Sequence, residues 1–131
     1  MTILVDSNIP MYLVGGDHPN RERARHAVEV AIAARERLVT DAEAFQEILH
    51  RYVAINRRDA IDAAWSTLHR IVDQVHPIEL EDVDRARRLV QSTSLQARDA
   101  LHVAIMQRHD IGEVLTFDSA FDGVPGIRRR S

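Results

Sequence analysis

No cysteine and no lysine occur in this chain; all 17 of its bases are arginine. The missing cysteine excludes disulfides, thiolate metal sites and cysteine nucleophiles. The missing lysine excludes Schiff-base chemistry and P-loop phosphate sites, which need that amine. Long apolar runs are missing too. The longest is Val30–Ala34, too short for a membrane span. The N-terminus lacks the charged-then-apolar layout of a secretory signal, so the expected compartment is the cytoplasm. Bases are also in deficit. Against them stand 20 acids, for a formal net charge of −3. That balance argues against a partner held by bulk positive charge, such as duplex DNA.

What is present is an ordinary globular composition. The hydrophobic fraction is 45% over 131 residues, which predicts one domain, 1–131, with a packed core. Thr2–Asp6 reads as a short buried strand, and Ser7–Pro10 as a helix entry. Arg21–Arg37 has helical spacing, with Asn20 as its cap, and Leu38–Thr40 is a second strand. Thr40-Asp41-Ala42-Glu43 fits a capping box that opens a helix to Ile55. Helices follow over Ala60–Asp73, Glu81–Gln91 and Ala97–His109. Val75–Ile78 holds Pro77 and so reads as a short or edge strand. Glu113–Phe117 is a further strand, and Ile127-Arg128 starts a last one. Helices alternating with short apolar strands imply an α/β sandwich with a mainly parallel sheet. In such sheets the ligand crevice lies at the C-terminal strand ends.

Asp6 and Asp118 both close apolar strands, so their carboxylates should emerge on one edge of the sheet. An acid in that place also commonly starts a turn or caps a helix. Asp99 lies in the first turn of a helix that is apolar nearly all round. A carboxylate on a buried helix needs a base or a metal beside it. Glu47 lies opposite the stripe Phe45, Ile48, Leu49, Tyr52 and Val53, so periodicity alone reads it as solvated.

Together these segments resemble the PIN-domain ribonucleases, in particular toxins of the VapC type. The segments are Ile3-Leu4-Val5-Asp6-Ser7-Asn8, Thr40 to Glu47, Arg98-Asp99-Ala100-Leu101-His102-Val103-Ala104 and Leu115 to Asp122. They stand in the family's order and span the chain. The resemblance implies a PIN-like three-layer sandwich and an acidic quartet of Asp6, Glu47, Asp99 and Asp118. Asn8 and Thr116 would orient carboxylates. It implies Mg²⁺- or Mn²⁺-dependent hydrolysis of RNA to 5′-phosphate and 3′-hydroxyl ends. Asp6, Asp99 and Asp118 would hold metal, and Glu47 a second metal or the attacking water. Such toxins are homodimers neutralised by a small antitoxin that occupies the acidic cleft. Hard oxygen ligands suit Mg²⁺ or Mn²⁺ on chemical grounds alone. The competing reading is a non-catalytic PIN-like module that binds RNA or protein. Receiver domains and haloacid-dehalogenase-type phosphatases also place acids at strand ends, but they rely on lysine.

Other residues carry two readings each. Asp122 is a further ligand or, preferably, a turn cap. Arg128-Arg129-Arg130 is an RNA-phosphate contact or a solubilising tail. The stripes on the Asp41 and Ala60 helices are core or dimer surface. No pair of the seven histidines has the spacing of a helical zinc pair. His102, three residues after Asp99, is read first as a packed or solvated histidine and second as a support for a ligand.

Overall fold

The computed structural model describes residues Met1–Ser131. Five strands form one sheet: β1 (Thr2–Val5), β2 (Arg37–Asp41), β3 (Gln74–His76), β4 (Glu113–Leu115) and β5 (Arg128–Arg130). Their order is β3-β2-β1-β4-β5 and every pairing is parallel. Six helices connect them: α1 (Asn8–Val14), α2 (Pro19–Ala33), α3 (Ala42–Ala54), α4 (Ile61–Ile71), α5 (Leu80–Ser92) and α6 (Ala97–Arg108).

Strand alternation sorts the core into two layers. Ile3, Val5, Leu38 and Leu115 face one side, where Ile9, Val28, Phe45, Ile48 and Leu68 of α1 to α4 pack. Leu4, Val39 and Val114 face the other, against Ala86 of α5 and Ala100, Val103, Ala104 and Met106 of α6. Ile3, Leu4 and Val5 are completely buried because β1 is central and covered on both faces. The result is the expected three-layer α/β sandwich. β3 is an edge strand, as the proline after it predicts. No helix is long and apolar enough to cross a membrane.

Several local expectations are corrected. His18, not Asn20, caps α2: its Nδ1 accepts from the Asn20 N–H at 3.0 Å. The box Thr40–Glu43 does not form, because β2 continues to Asp41 and uses Thr40 within the sheet. Thr40 Oγ1 donates to the Val5 carbonyl at 2.7 Å, and Asp41 caps α3 by accepting from the Ala44 N–H at 3.0 Å. A capping box forms instead at α5, between Glu79 and Asp82. Arg128–Arg130 is no loose tail but strand β5. Arg129 is bonded to Asp122 at 2.7 Å, and Arg130 to Glu36. Asp122 is therefore an ion-pair partner, and Asp118 is the turn cap. Much of the α3 and α4 stripes is core: Phe45, Ile48, Tyr52, Ala64 and Leu68 are buried in one cluster, with Trp65 packed at its edge, while Val53 of the α3 stripe is exposed.

Candidate active site

Leu4, Val39 and Val114 lie side by side in register across the three central strands. Two residues beyond each stand Asp6, Asp41 and Thr116. The period of two keeps them on the same side of the sheet, toward α6. They form a polar row at the C-terminal edge, and α6 lays Asp99 and His102 across it. Helix α3 adds Glu47. Its apolar stripe packs on one layer, and Glu47, on its other flank, turns inward instead of to solvent. Glu47 is only 8% exposed, which corrects the periodicity reading. A helix that straddles a sheet edge has two buried sides, and a hydrophobic stripe reports only one of them.

All four acids of the quartet line one open cavity of about 510 Å³. Asn8, Tyr12, His18, Arg51 and Arg98 also line it. Asp6 is buried, and its Oδ2 accepts from Thr116 Oγ1 at 2.7 Å and from Asn8 Nδ2 at 3.4 Å. Its Oδ1 accepts from the Ser7 N–H at 2.7 Å. Asn8 Nδ2 also donates to Thr116 Oγ1 at 3.0 Å. Asn8 and Thr116 thus lie against Asp6, where the resemblance placed them. Burial pushes the Asp6 carboxyl above the ordinary carboxylate range, helped by the charge of Glu47 and opposed by His102 and these hydrogen bonds.

His102 is the cation inside this group. Its Nδ1 donates to Asp41 Oδ2 at 2.6 Å and its Nε2 to Glu47 Oε1 at 2.7 Å. Asp6 Oδ1 lies 3.6 Å from Nε2. The ring is completely buried, which disfavours its charge. The adjoining carboxylates outweigh that cost and hold its pKa well above the usual histidine value. Asp41 joins two functions, since one oxygen caps α3 and the other anchors His102. The cap on α3 and the grip on Glu47, on the same helix, are therefore connected through one imidazolium.

Asp99 has the opposite surroundings. It is 6% exposed, yet no residue donates a hydrogen bond to it. Burial, together with the charges of Asp118 and Asp6, raises its pKa to about 6. Asp118 is half-buried and caps the short turn Ser119–Gly123, accepting from the Ala120 N–H at 2.9 Å. Glu43 stands nearby, and burial and the Glu47 charge push its carboxyl up as well. Arg98 Nε is 3.7 Å from Glu47 Oε2. The site is a set of crowded carboxylates with one internal cation and a shortage of positive charge.

The sequence pattern undervalues His102 and leaves Asp41 out of the site. A signal for Asp41 is there: like Asp6 and Asp118, it ends an apolar strand. His102 shows only as an imidazole one helical turn beyond Asp99, on a helix that is apolar nearly all round.

The PIN domain profile matches residues 3–127. The chain belongs to the PIN-domain family. The chain is 56% identical to Ribonuclease VapC13 of Mycobacterium tuberculosis over 97% of this chain and 98% of that protein. It is 44% identical to Ribonuclease VapC23 of the same species, over 88% of this chain and 92% of that protein. Two solved structures share the PIN fold. VapBC2 from Rickettsia felis, bound to a promoter DNA fragment, matches with a TM-score of 0.75 and 11% identity, over 99% of this chain and 98% of that one. A toxin–antitoxin complex from Klebsiella pneumoniae matches with a TM-score of 0.68 and 24% identity, over 96% and 95% of the two chains.

Proposed function

We propose that this PIN-domain protein is a divalent-metal-dependent endoribonuclease and the toxin of a toxin–antitoxin pair. One observation carries the reading: Asp99, on a buried helix, turns a carboxylate that no protein group donates to into an open cavity, beside Asp6, Glu47 and Asp118. Crowded like charges of this kind are relieved by a cation. The donors fit a hard one. They are carboxylate oxygens, and the imidazole of His102 is engaged at both nitrogens. Mg²⁺ or Mn²⁺ suits such a set better than zinc. Asp6, Asp99 and Asp118 would hold the ion. Bound there, it would polarise the phosphate and make a water more acidic.

The chain's own groups supply the remaining steps. Glu47 Oε1 is fixed by His102, which leaves Oε2 to orient a water and take its proton. The water oxygen bonds to phosphorus while the bond to the 3′-oxygen breaks. That oxygen takes a proton from solvent water and leaves as a 3′-hydroxyl, the other fragment keeps a 5′-phosphate, and Glu47 returns its proton to solvent. Arg51 and Arg98, on the cavity wall, offset the phosphate charge where the acids would repel it.

The antitoxin belongs to the same proposal. Its support is the likeness to VapC relatives and to toxin–antitoxin structures. An arginine on the inhibiting segment would neutralise the cleft as a metal does. We propose a homodimer as the toxin's assembled state.

The test is to incubate purified protein with total cellular RNA and sequence the new ends. Cleavage should need Mg²⁺ or Mn²⁺, stop with a chelator, and vanish in Asp6→Asn. Equal cleavage by Asp6→Asn would sink the site assignment. RNA binding without any cleavage, whatever the metal, would favour the binding module.

A further inference from the structure

The cavity has an acidic wall and an aromatic one. With the carboxylates, Tyr12 near the end of α1 and the exposed ring of His18 line the same space. Their centroids are 5.1 Å apart and their planes 35° from parallel. Phe117 braces Tyr12 edge-on at 5.5 Å. Arg23 covers the Phe117 ring at 5.1 Å. Phe117 is bonded in sequence to Asp118, so this wall is tied directly to the acidic edge. Between Tyr12 and His18, Gly15 and Gly16 line the cavity and add no side chain to it. A Cβ placed on Gly16 would meet no atom within 4 Å, so packing does not call for glycine there.

The His18 ring is held, not loose. Its Nδ1 accepts from the Asn20 N–H, which fixes the ring at the start of α2. Nε2 is left as the donor on the free side. The exposed His18 ring is outside the core, and Tyr12, half-buried against the core, also lines the cavity, so both rings adjoin a site read as handling phosphodiesters. Flat faces beside such a site accept bases of any sequence, because every base has a π-face.

We propose that Tyr12 and His18 form a stacking subsite for one unpaired nucleobase next to the scissile phosphate. The ligand class is single-stranded RNA, and the subsite rests on the ribonuclease reading above. Arg23 and Phe117 stiffen the wall from behind. A base held there presents its own backbone to the acids, so stacking sets the cleavage register.

The experiment is a cycle between protein and RNA. The probe is a single-stranded oligoribonucleotide that spans a cut site mapped by end sequencing, and copies of it lacking one base near the cut. Two variants separate the ring from the cap. His18→Asn keeps a capping oxygen and removes the ring; His18→Phe keeps an aromatic face and removes the cap. For the unaltered protein, one abasic position should lower kcat/KM about tenfold. In His18→Asn that position should matter much less, with Tyr12 alone left to stack, and kcat/KM on intact RNA should already be down, by up to about tenfold. His18→Phe should retain most of the abasic effect. Cleavage that is equally sensitive to abasic positions in the unaltered protein and in His18→Asn would overturn the subsite and leave the ribonuclease reading standing. No cleavage of any RNA by the unaltered protein would overturn both.

Discussion

Asp82 and Asp99 are the same residue in the same kind of place. Each lies in the first turn of a helix, α5 or α6, and each is buried, at 0% and 6% exposure. Their titrations part in opposite directions. Arg108 grips Asp82 with two bonds, Nε to Oδ1 at 2.6 Å and Nη2 to Oδ2 at 2.8 Å. The Glu79 N–H adds a third at 2.8 Å. Burial pushes the Asp82 carboxyl up, but these bonds outweigh it and hold the pKa below the ordinary value. Asp99 has only other acids for company apart from the shared His102, and its pKa rises to about 6. Both are buried acids in a first helical turn; donors outweigh burial at Asp82, whereas at Asp99 burial is joined by the charges of neighbouring acids. Asp82 completes a structural lock between α5 and α6. Asp99 is left incomplete, as a group that awaits a cation must be.

The largest expected separation is in activity. Asp99→Asn should lower RNA cleavage by at least about 100-fold, since even supports of metal ligands cost roughly 10–100-fold when lost. Asp82→Asn should leave the specific activity of the folded protein near its original level. Similar activity losses in both, measured on folded protein, would erase the distinction. Stability should cross over in sign. Asp82→Asn should destabilise by about 1–2 kcal/mol in denaturant unfolding, discounted because the Arg108 head is partly in water. Asp99→Asn should stabilise the metal-free protein by about 1 kcal/mol at pH 7, allowing for screening by cavity water.

Metal should reproduce that gain by another route. Mg²⁺ or Mn²⁺ well above its Kd should stabilise the unaltered protein and Asp82→Asn by about 1–3 kcal/mol. In Asp99→Asn the shift should be smaller, as followed by thermal melting.

The pH dependences should differ as well. Asp99 titrates higher when folded, at about 6, than an unfolded aspartate at roughly 3.9. Over that window the folded chain holds the extra proton, so this group's contribution falls as pH rises from about 4 to 6. Asp82 is lowered on folding. Its contribution is present above the unfolded value and is lost as pH falls below about 4. Unfolding curves of the two asparagine variants against the unaltered protein, taken across that range, check both slopes. The smallest effect is expected for Arg108→Lys, which keeps the charge but loses the two-pronged fit. It should weaken the lock in the same sense as Asp82→Asn and by less.

Much of this is legible from residues alone. The apolar strand that leads into Asp6, and the apolar segment before Asp118, mark the sheet and its C-terminal edge, although β4 stops at Leu115, short of the expected Phe117, and Asp118 caps the turn beyond it. The all-apolar helix with Asp99 in its first turn marks a buried acid. What the pattern misleads about has a common cause. Glu47 looks solvated because its helix buries two sides. Thr40 looks like a cap because its strand runs two residues further than its apolar part. The terminal arginines look free because their acid partners, Glu36 and Asp122, come from elsewhere in the chain.

The sequence by itself determined the alternation of elements, the acids available to the site, and the absence of the chemistries that lysine and cysteine would have allowed. Tertiary structure alone decided which acids are satisfied. Asp41, Glu47 and His102 come from separate helices and a strand, and they meet only when α6 crosses the sheet edge. Arg98 directly precedes Asp99 in sequence and reaches toward Glu47 instead. Pairing depends on distance and direction in three dimensions, and the energy of a buried charge depends on pairing. No local pattern carries that information, because a carboxylate looks the same in sequence whether or not a cation will be there to meet it.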